Sequence, residues 1–176
     1  MPTKESAFGG KYSYRDLSNI GRRLGRSRQR DELKHYVDQM KSDDSVEVQR
    51  ASAVVSNASD IEVELFQEFI PDFIQILEKN SHRSAPRAIF RILEKIQSIS
   101  DDTLGPIIDI SFRYLNNPKK SIAEKVFAMT VIANQIDKYP DLRHELEASL
   151  SAQIKTGSAG FKSRAGKIAK AYDLNL

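Results

Sequence analysis

A basic residue followed by a small or β-branched apolar one recurs four times at nearly equal intervals: Arg50-Ala51, Arg87-Ala88, Lys125-Val126 and Arg164-Ala165 are spaced by 37, 38 and 39 residues. Three residues beyond the second member of each pair stand Val54, Arg91, Met129 and Ile168, apolar in all but one copy. A period of this length is one pair of helices. Such a pair is too small to bury its own apolar face, so its copies stack into an extended solenoid. The recurrence therefore narrows the fold to an all-α superhelix, a solenoid of about four helix pairs.

Apolar spacing fills in the helices between these anchors. Leu33, Tyr36, Val37 and Met40 form one stripe, and Asp44 or Ser45 caps a second helix carrying Val48, Ala51, Val54 and Val55. Asp60 opens a third with Leu65, Phe66, Phe69, Ile70, Phe73, Ile74 and Leu77, in which Pro71 predicts a kink. A fourth presents Ala88, Ile89, Ile92, Leu93 and Ile96, with Pro86 tolerated in its first turn. Asp101 or Asp102 caps a fifth, which stops at Asn116-Asn117-Pro118. Lys119 to Pro140 is the longest uninterrupted helical pattern, with Ile122, Val126, Met129, Ala133 and Ile136 predicted on its inward stripe. A seventh runs through Leu142, Leu146, Leu150 and Ile154 to Gly157, and an eighth spans about 158–172 with Phe161, Ala165, Ile168 and Tyr172 inward. Residues 1–27 read as a flexible basic arm, because Gly21 and Gly25 each weaken a short helix through Leu17, Ile20 and Leu24. Residues 28–176 are then the repeat domain.

Charge supplies the functional signal. The net charge of +3 is uneven. Residues 11–30 hold seven basic residues against one acid, residues 155–176 hold five against one, and residues 31–154 hold 14 against 21. No apolar run approaches the length needed to span a bilayer, and MPTKESAFGGK lacks the apolar stretch of a secretory signal, so the expected location is cytoplasmic and no membrane is expected as a partner. The absence of cysteine removes disulfides and thiolate chemistry together.

Phe69-Ile70-Pro71-Asp72-Phe73-Ile74-Gln75-Ile76-Leu77 resembles the leucine-proline-x-leucine-leucine pattern that ends the first helix of a HEAT repeat, and the basic-apolar pairs resemble its valine-arginine-x-x-alanine stretch. The match covers about residues 28–172 as four degenerate repeats, and the resemblance implies an α-α superhelix that is a right-handed solenoid. It departs from the family at the turn aspartate before each second helix: only Asp44 holds that place, with Ser81, Lys119 and Ser158 in the others. The C-terminal half, AEKVFAMTVIANQIDKYPDLRHELEASL and then SAGFKSRAGKI, is also similar to short uncharacterised bacterial HEAT-like proteins, some of which carry the name adenylosuccinate lyase. Lyases of that superfamily have a Gly-Ser-Ser-x-Met-Pro-x-Lys loop and a much longer chain, and this sequence has neither.

The resemblance implies a scaffold without turnover, in which the second helices line a concave face for a partner. Arg50, Arg87, Arg91, Lys125 and Arg164 then form a basic line along it, matched to an acidic protein or peptide. The alternative is nucleic-acid binding through Arg22, Arg23, Arg26, Arg28 and Arg30 of the arm together with Lys162, Lys167 and Lys170 of the last helix, since arginine pairs bidentately with phosphate. Against it, the chain has no tryptophan and only scattered tyrosines to serve as a stacking platform. His35, His82 and His144 are far apart, and the acid pairs Asp43-Asp44 and Asp101-Asp102 sit where helix caps belong, so no metal, cofactor or catalytic residue is expected. No GxGxxG, GxxxxGK[ST] or GxSxG motif is present.

Overall fold

The computed structural model describes residues 12–79 and 82–176, and all regular structure among them is helical. The elements are α1 (Tyr14–Ser27), α2 (Arg30–Gln39), α3 (Ser45–Ser59), a 3-10 segment (Val63–Phe69) continuing into α4 (Ile70–Lys79), α5 (Ser84–Leu93), α6 (Asp101–Asn116), α7 (Ile122–Ala133), α8 (Leu142–Ile154) and α9 (Ala159–Tyr172). They fall into two compact units, divided between Thr103 and Leu104.

In the first unit α1, α3 and α5 lie side by side in that order, and α2, the 3-10 segment and α4 form the layer against them. Asp44 caps α3, its carboxylate accepting from the Val46 N–H at 2.8 Å. Leu33, Val37, Met40, Val54, Phe66, Phe73 and Phe90 are fully enclosed between the layers, and Phe66 meets Phe69 edge-on at 6.0 Å and stacks on Phe73 at 6.3 Å. Where the sequence predicts one kinked helix around Pro71, hydrogen bonding changes type just before the proline. Pro71 has no N–H to offer the Gln67 carbonyl, which instead accepts from the Ile70 N–H three residues on, closing the 3-10 segment.

α1 corrects the expectation of a flexible arm for residues 14–27; residues 1–11 lie outside the described part of the chain. Ser13 and Asp16 make a reciprocal capping box, and Leu17, Gly21, Leu24 and Gly25 are buried against α3. The glycines are the contact surface itself. A Cβ on Gly21 would lie 2.4 Å from the Val54 carbonyl oxygen, and one on Gly25 2.7 Å from that of Ala58. Residues that weaken an isolated helix here let two backbones touch.

In the second unit α7 packs on both α8 and α9. Ala128, Met129, Ile132, Ile136, Leu146, Leu150, Phe161, Ala165 and Ile168 are buried. α6 is tied to α8 by Asn116 Nδ2 donating to Ser149 Oγ at 3.2 Å and by Gln153 Nε2 donating to the Leu115 carbonyl at 3.1 Å. The pattern over Lys119 to Pro140 overstates α7. Ser121 caps it through a second capping box, with its Oγ 3.3 Å from the Glu124 N–H and the Glu124 carboxylate 2.8 Å from its own N–H. After Ala133 the chain turns in short steps, Gln135 bonding back to Ile132 and Ile136 to Ala133. Ile122, predicted inward, sits in the first turn and is 51% exposed.

Candidate functional site

The five basic residues predicted along the second helices belong to two different units and are described within each. In the first unit, Arg50 on α3 is half-buried, with its guanidinium carbon 5.7 Å from the centre of the Tyr12 ring. Arg87 on α5 is exposed, and its guanidinium makes no ion pair or hydrogen bond among the described residues. One turn on, Arg91 is committed: Nη1 donates to Ser56 Oγ at 2.8 Å, and Nη2 reaches both carboxylate oxygens of Asp60, at 2.9 and 3.0 Å. Lys95 adds a second cation to the same carboxylate at 2.5 Å. Asp60 follows α3 directly, so this cluster links adjacent second helices and leaves Arg87 as the exposed charge of α5's middle turn.

In the second unit Lys125 and Arg164 are likewise engaged. Lys125 Nζ donates to Gln153 Oε1 at 2.7 Å, and burial pushes its ammonium below the ordinary lysine value. Arg164 Nη1 donates to Thr130 Oγ1 at 2.9 Å, joining α9 to α7. Of the lysines expected to touch nucleic acid, Lys162, Lys167 and Lys170 all lie exposed on α9.

The arm arginines separate into two groups once α1 is in place. Arg23 bonds Glu32 at 2.7 Å and Gln29 at 3.2 Å, Arg28 pairs with Glu62 at 2.6 Å, and Arg30 pairs with Glu68 at 3.3 Å. These three tie the start of the chain to α2 and to the 3-10 segment. Arg22 and Arg26 make no such pair among the described residues and line an open depression on the surface of α1 with Asn19, Arg23 and Ser27. The sequence reading missed Arg15 and Asn19, which fall on the same face. Its signal was available: Arg15, Asn19, Arg22 and Arg26 advance by four, three and four residues, so 100° per residue places them within about 60° of one another.

Other titratable groups serve structure. His82 Nδ1 lies 2.8 Å from Ser84 Oγ, and His35 meets the Tyr36 ring edge-on at 5.7 Å. In the second unit Lys120 sits 3.8 Å from the centre of the Tyr114 ring and 4.0 Å from the Glu124 carboxylate, and burial raises the Tyr114 hydroxyl well above its ordinary value. Among the described residues no group of three or more His, Cys, Asp or Glu side chains is placed to hold a metal ion, and no helix is long and apolar enough to cross a membrane.

Comparison with known proteins agrees with the helix pairs. A family model described as a HEAT repeat domain matches residues 6–172, which takes in α1 as well as the eight later helices. No curated protein and no solved structure is significantly similar to the chain.

Proposed function

Because the chain belongs to the HEAT repeat family, whose stacked helix pairs commonly mediate protein interactions, we propose that it is a non-catalytic scaffold that binds an acidic protein partner on its second helices. Arg87 carries this reading. It stands exposed on α5 without a counter-ion among the described residues, on a helix whose next basic residue, Arg91, is held by the fold. Arg50, half-buried one helix away on α3, adds charge to the same layer. Lys125 and Arg164 hold the matching positions on α7 and α9 of the second unit, fixed there by Gln153 and Thr130.

Nucleic-acid binding through all five arm arginines has less support, since Arg23, Arg28 and Arg30 already neutralise Glu32, Glu62 and Glu68. The test compares wild type with Arg50→Glu/Arg87→Glu by affinity capture from the source cells, followed by titration calorimetry against each purified partner. A partner that binds wild type directly and loses about tenfold or more in affinity on charge reversal supports the scaffold. Direct binding that is indifferent to both substitutions places the partner elsewhere and refutes this assignment.

A further inference from the structure

We infer that the outward face of α1, opposite α3, is a docking site for an acidic helix. The inference rests on the protein-interaction reading above and names a different surface for it. Arg15, Asn19, Arg22 and Arg26 form a stripe about 16 Å long, at the rise of 1.5 Å per residue. All four are exposed. They look away from Leu17, Gly21 and Leu24, which are buried against α3. The guanidiniums of Arg22 and Arg26 have no ion-pair or hydrogen-bond partner among the described residues, and the acid beside Arg15, Asp16, has its carboxylate already occupied by the N-cap.

The first unit itself shows how its second helices settle such charges. Between α5 and α3, Arg91 and Lys95 converge on Asp60 and Arg91 also reaches Ser56; between α1 and α3, Ser18 donates to Asn57 at 2.8 Å. Both interfaces in the row are close helix pairs crossed by polar links, and at the one where charges meet the cations come from α5 and the residues just after it and the acid from the end of α3. The outward face of α1 carries the cations of such an interface, at helical spacing, without the acid. Nor does the stripe present an apolar anchor, so its partner is defined by charge and by periodicity.

The probe is a labelled helix-forming peptide with glutamates advancing by four, three and four residues on an alanine background, measured by fluorescence anisotropy with the full chain. Its controls are a peptide of identical composition with the acids spread around the helix, and a 20-base-pair DNA duplex. Three exposed pairs at their ordinary worth amount to about tenfold in affinity, so Arg15→Glu/Arg22→Glu/Arg26→Glu is expected to weaken the striped peptide by about that factor. The spread peptide is expected to bind wild type several-fold more weakly. Arg15→Gln/Arg22→Gln/Arg26→Gln, with thermal unfolding of both variants, separates lost docking from lost folding. Equal binding of the two peptides, indifference to the triple substitutions, or no binding overturns the inference; so does a duplex that binds more tightly than the striped peptide through the same arginines, which makes the face a phosphate surface. Arg50 and Arg87 are untouched throughout, so failure here is distinct from failure of the scaffold reading.

Discussion

Replacing Gly21 with alanine separates two effects of opposite sign. In a helix whose surface is open, glycine to alanine stabilises by about 1 kcal/mol, because alanine loses less backbone entropy on folding. At Gly21 the new methyl would stand 2.4 Å from the Val54 carbonyl oxygen, 2.8 Å from Asn57 Cβ and 3.1 Å from the Ala58 nitrogen. Two of these three neighbours are backbone atoms of α3, which no rotamer change can move. α1 must therefore retreat by several tenths of an ångström along its contact, loosening Leu17 and Leu24, which are 2% and 0% exposed. Overpacking of this kind costs about 1–3 kcal/mol and outweighs the propensity gain, so Gly21→Ala is expected to be destabilising on balance. Gly166→Ala on α9 is the control, because nothing lies within 4 Å of its Cβ position. Urea unfolding followed by circular dichroism, with hydrogen exchange of the residue 14–27 amides, reads both. The expected result is a lower midpoint and faster exchange in α1 for Gly21→Ala, and a midpoint equal to or above wild type for Gly166→Ala. A Gly21→Ala protein as stable as the Gly166→Ala protein would refute the backbone contact.

Three further outcomes follow from the same geometry. Ser121→Ala removes the side chain that caps α7 and should cost about 1 kcal/mol, seen as a drop in the thermal midpoint of a few degrees for a chain of this size. Ile122→Ser and Met129→Ala, on one stripe in the sequence, should diverge in chemical denaturation: the exposed Ile122 within about 0.5 kcal/mol of wild type, the enclosed Met129 losing about 2–5 kcal/mol. Asp16, Asp38 and Asp43 are each held below the ordinary aspartate value of 3.8, by the Ser13 hydroxyl, by Lys34 and by Lys79 respectively. Lowered carboxyls stabilise the fold above their unfolded value, and that contribution disappears as pH falls through the folded values. The urea midpoint should therefore be insensitive to these groups from neutrality to about pH 5 and decline below about pH 4, and Asp38→Asn should flatten the decline.

The sequence exposed whatever depends on neighbours a few residues apart. The recurring basic-apolar pairs locate α3, α5, α7 and α9, the SDDS stretch narrows the cap of α3 to Asp44 or Ser45, of which the structure uses Asp44, and Pro86 falls in the first turn of α5. What it concealed depends on atoms far along the chain. Gly21 reads as a weak point because the propensity argument is local, while its partner Val54 lies a whole repeat away. Arg91 and Arg87 look equivalent in a helical projection, and only the arrival of Asp60 from the end of α3 distinguishes the bonded one from the exposed one. The arm arginines show the same limit: their acidic partners Glu32, Glu62 and Glu68 sit in the elements that follow, so composition alone reads all of them as unspent charge. α7 failed differently, because apolar periodicity continues through Ile136 although hydrogen bonding has already shortened after Ala133.

The paired glycines of α1 also act as an index. Gly21 and Gly25 are one turn apart and each faces a carbonyl of α3, at Val54 and Ala58. Sliding α1 by one turn would either seat Leu17 in a place where even a methyl group collides or leave the place of Gly25 to chain beyond the helix end at Ser27, and rotating it by one residue would bring Arg22 or Ile20 to the same spot. The helix thus has a single seat, fixed in both translation and azimuth, much as a key is held by two wards. Arg15, Arg22 and Arg26 inherit that setting, so anything that engages them meets guanidiniums whose backbone positions are specified by the carbonyl row of α3.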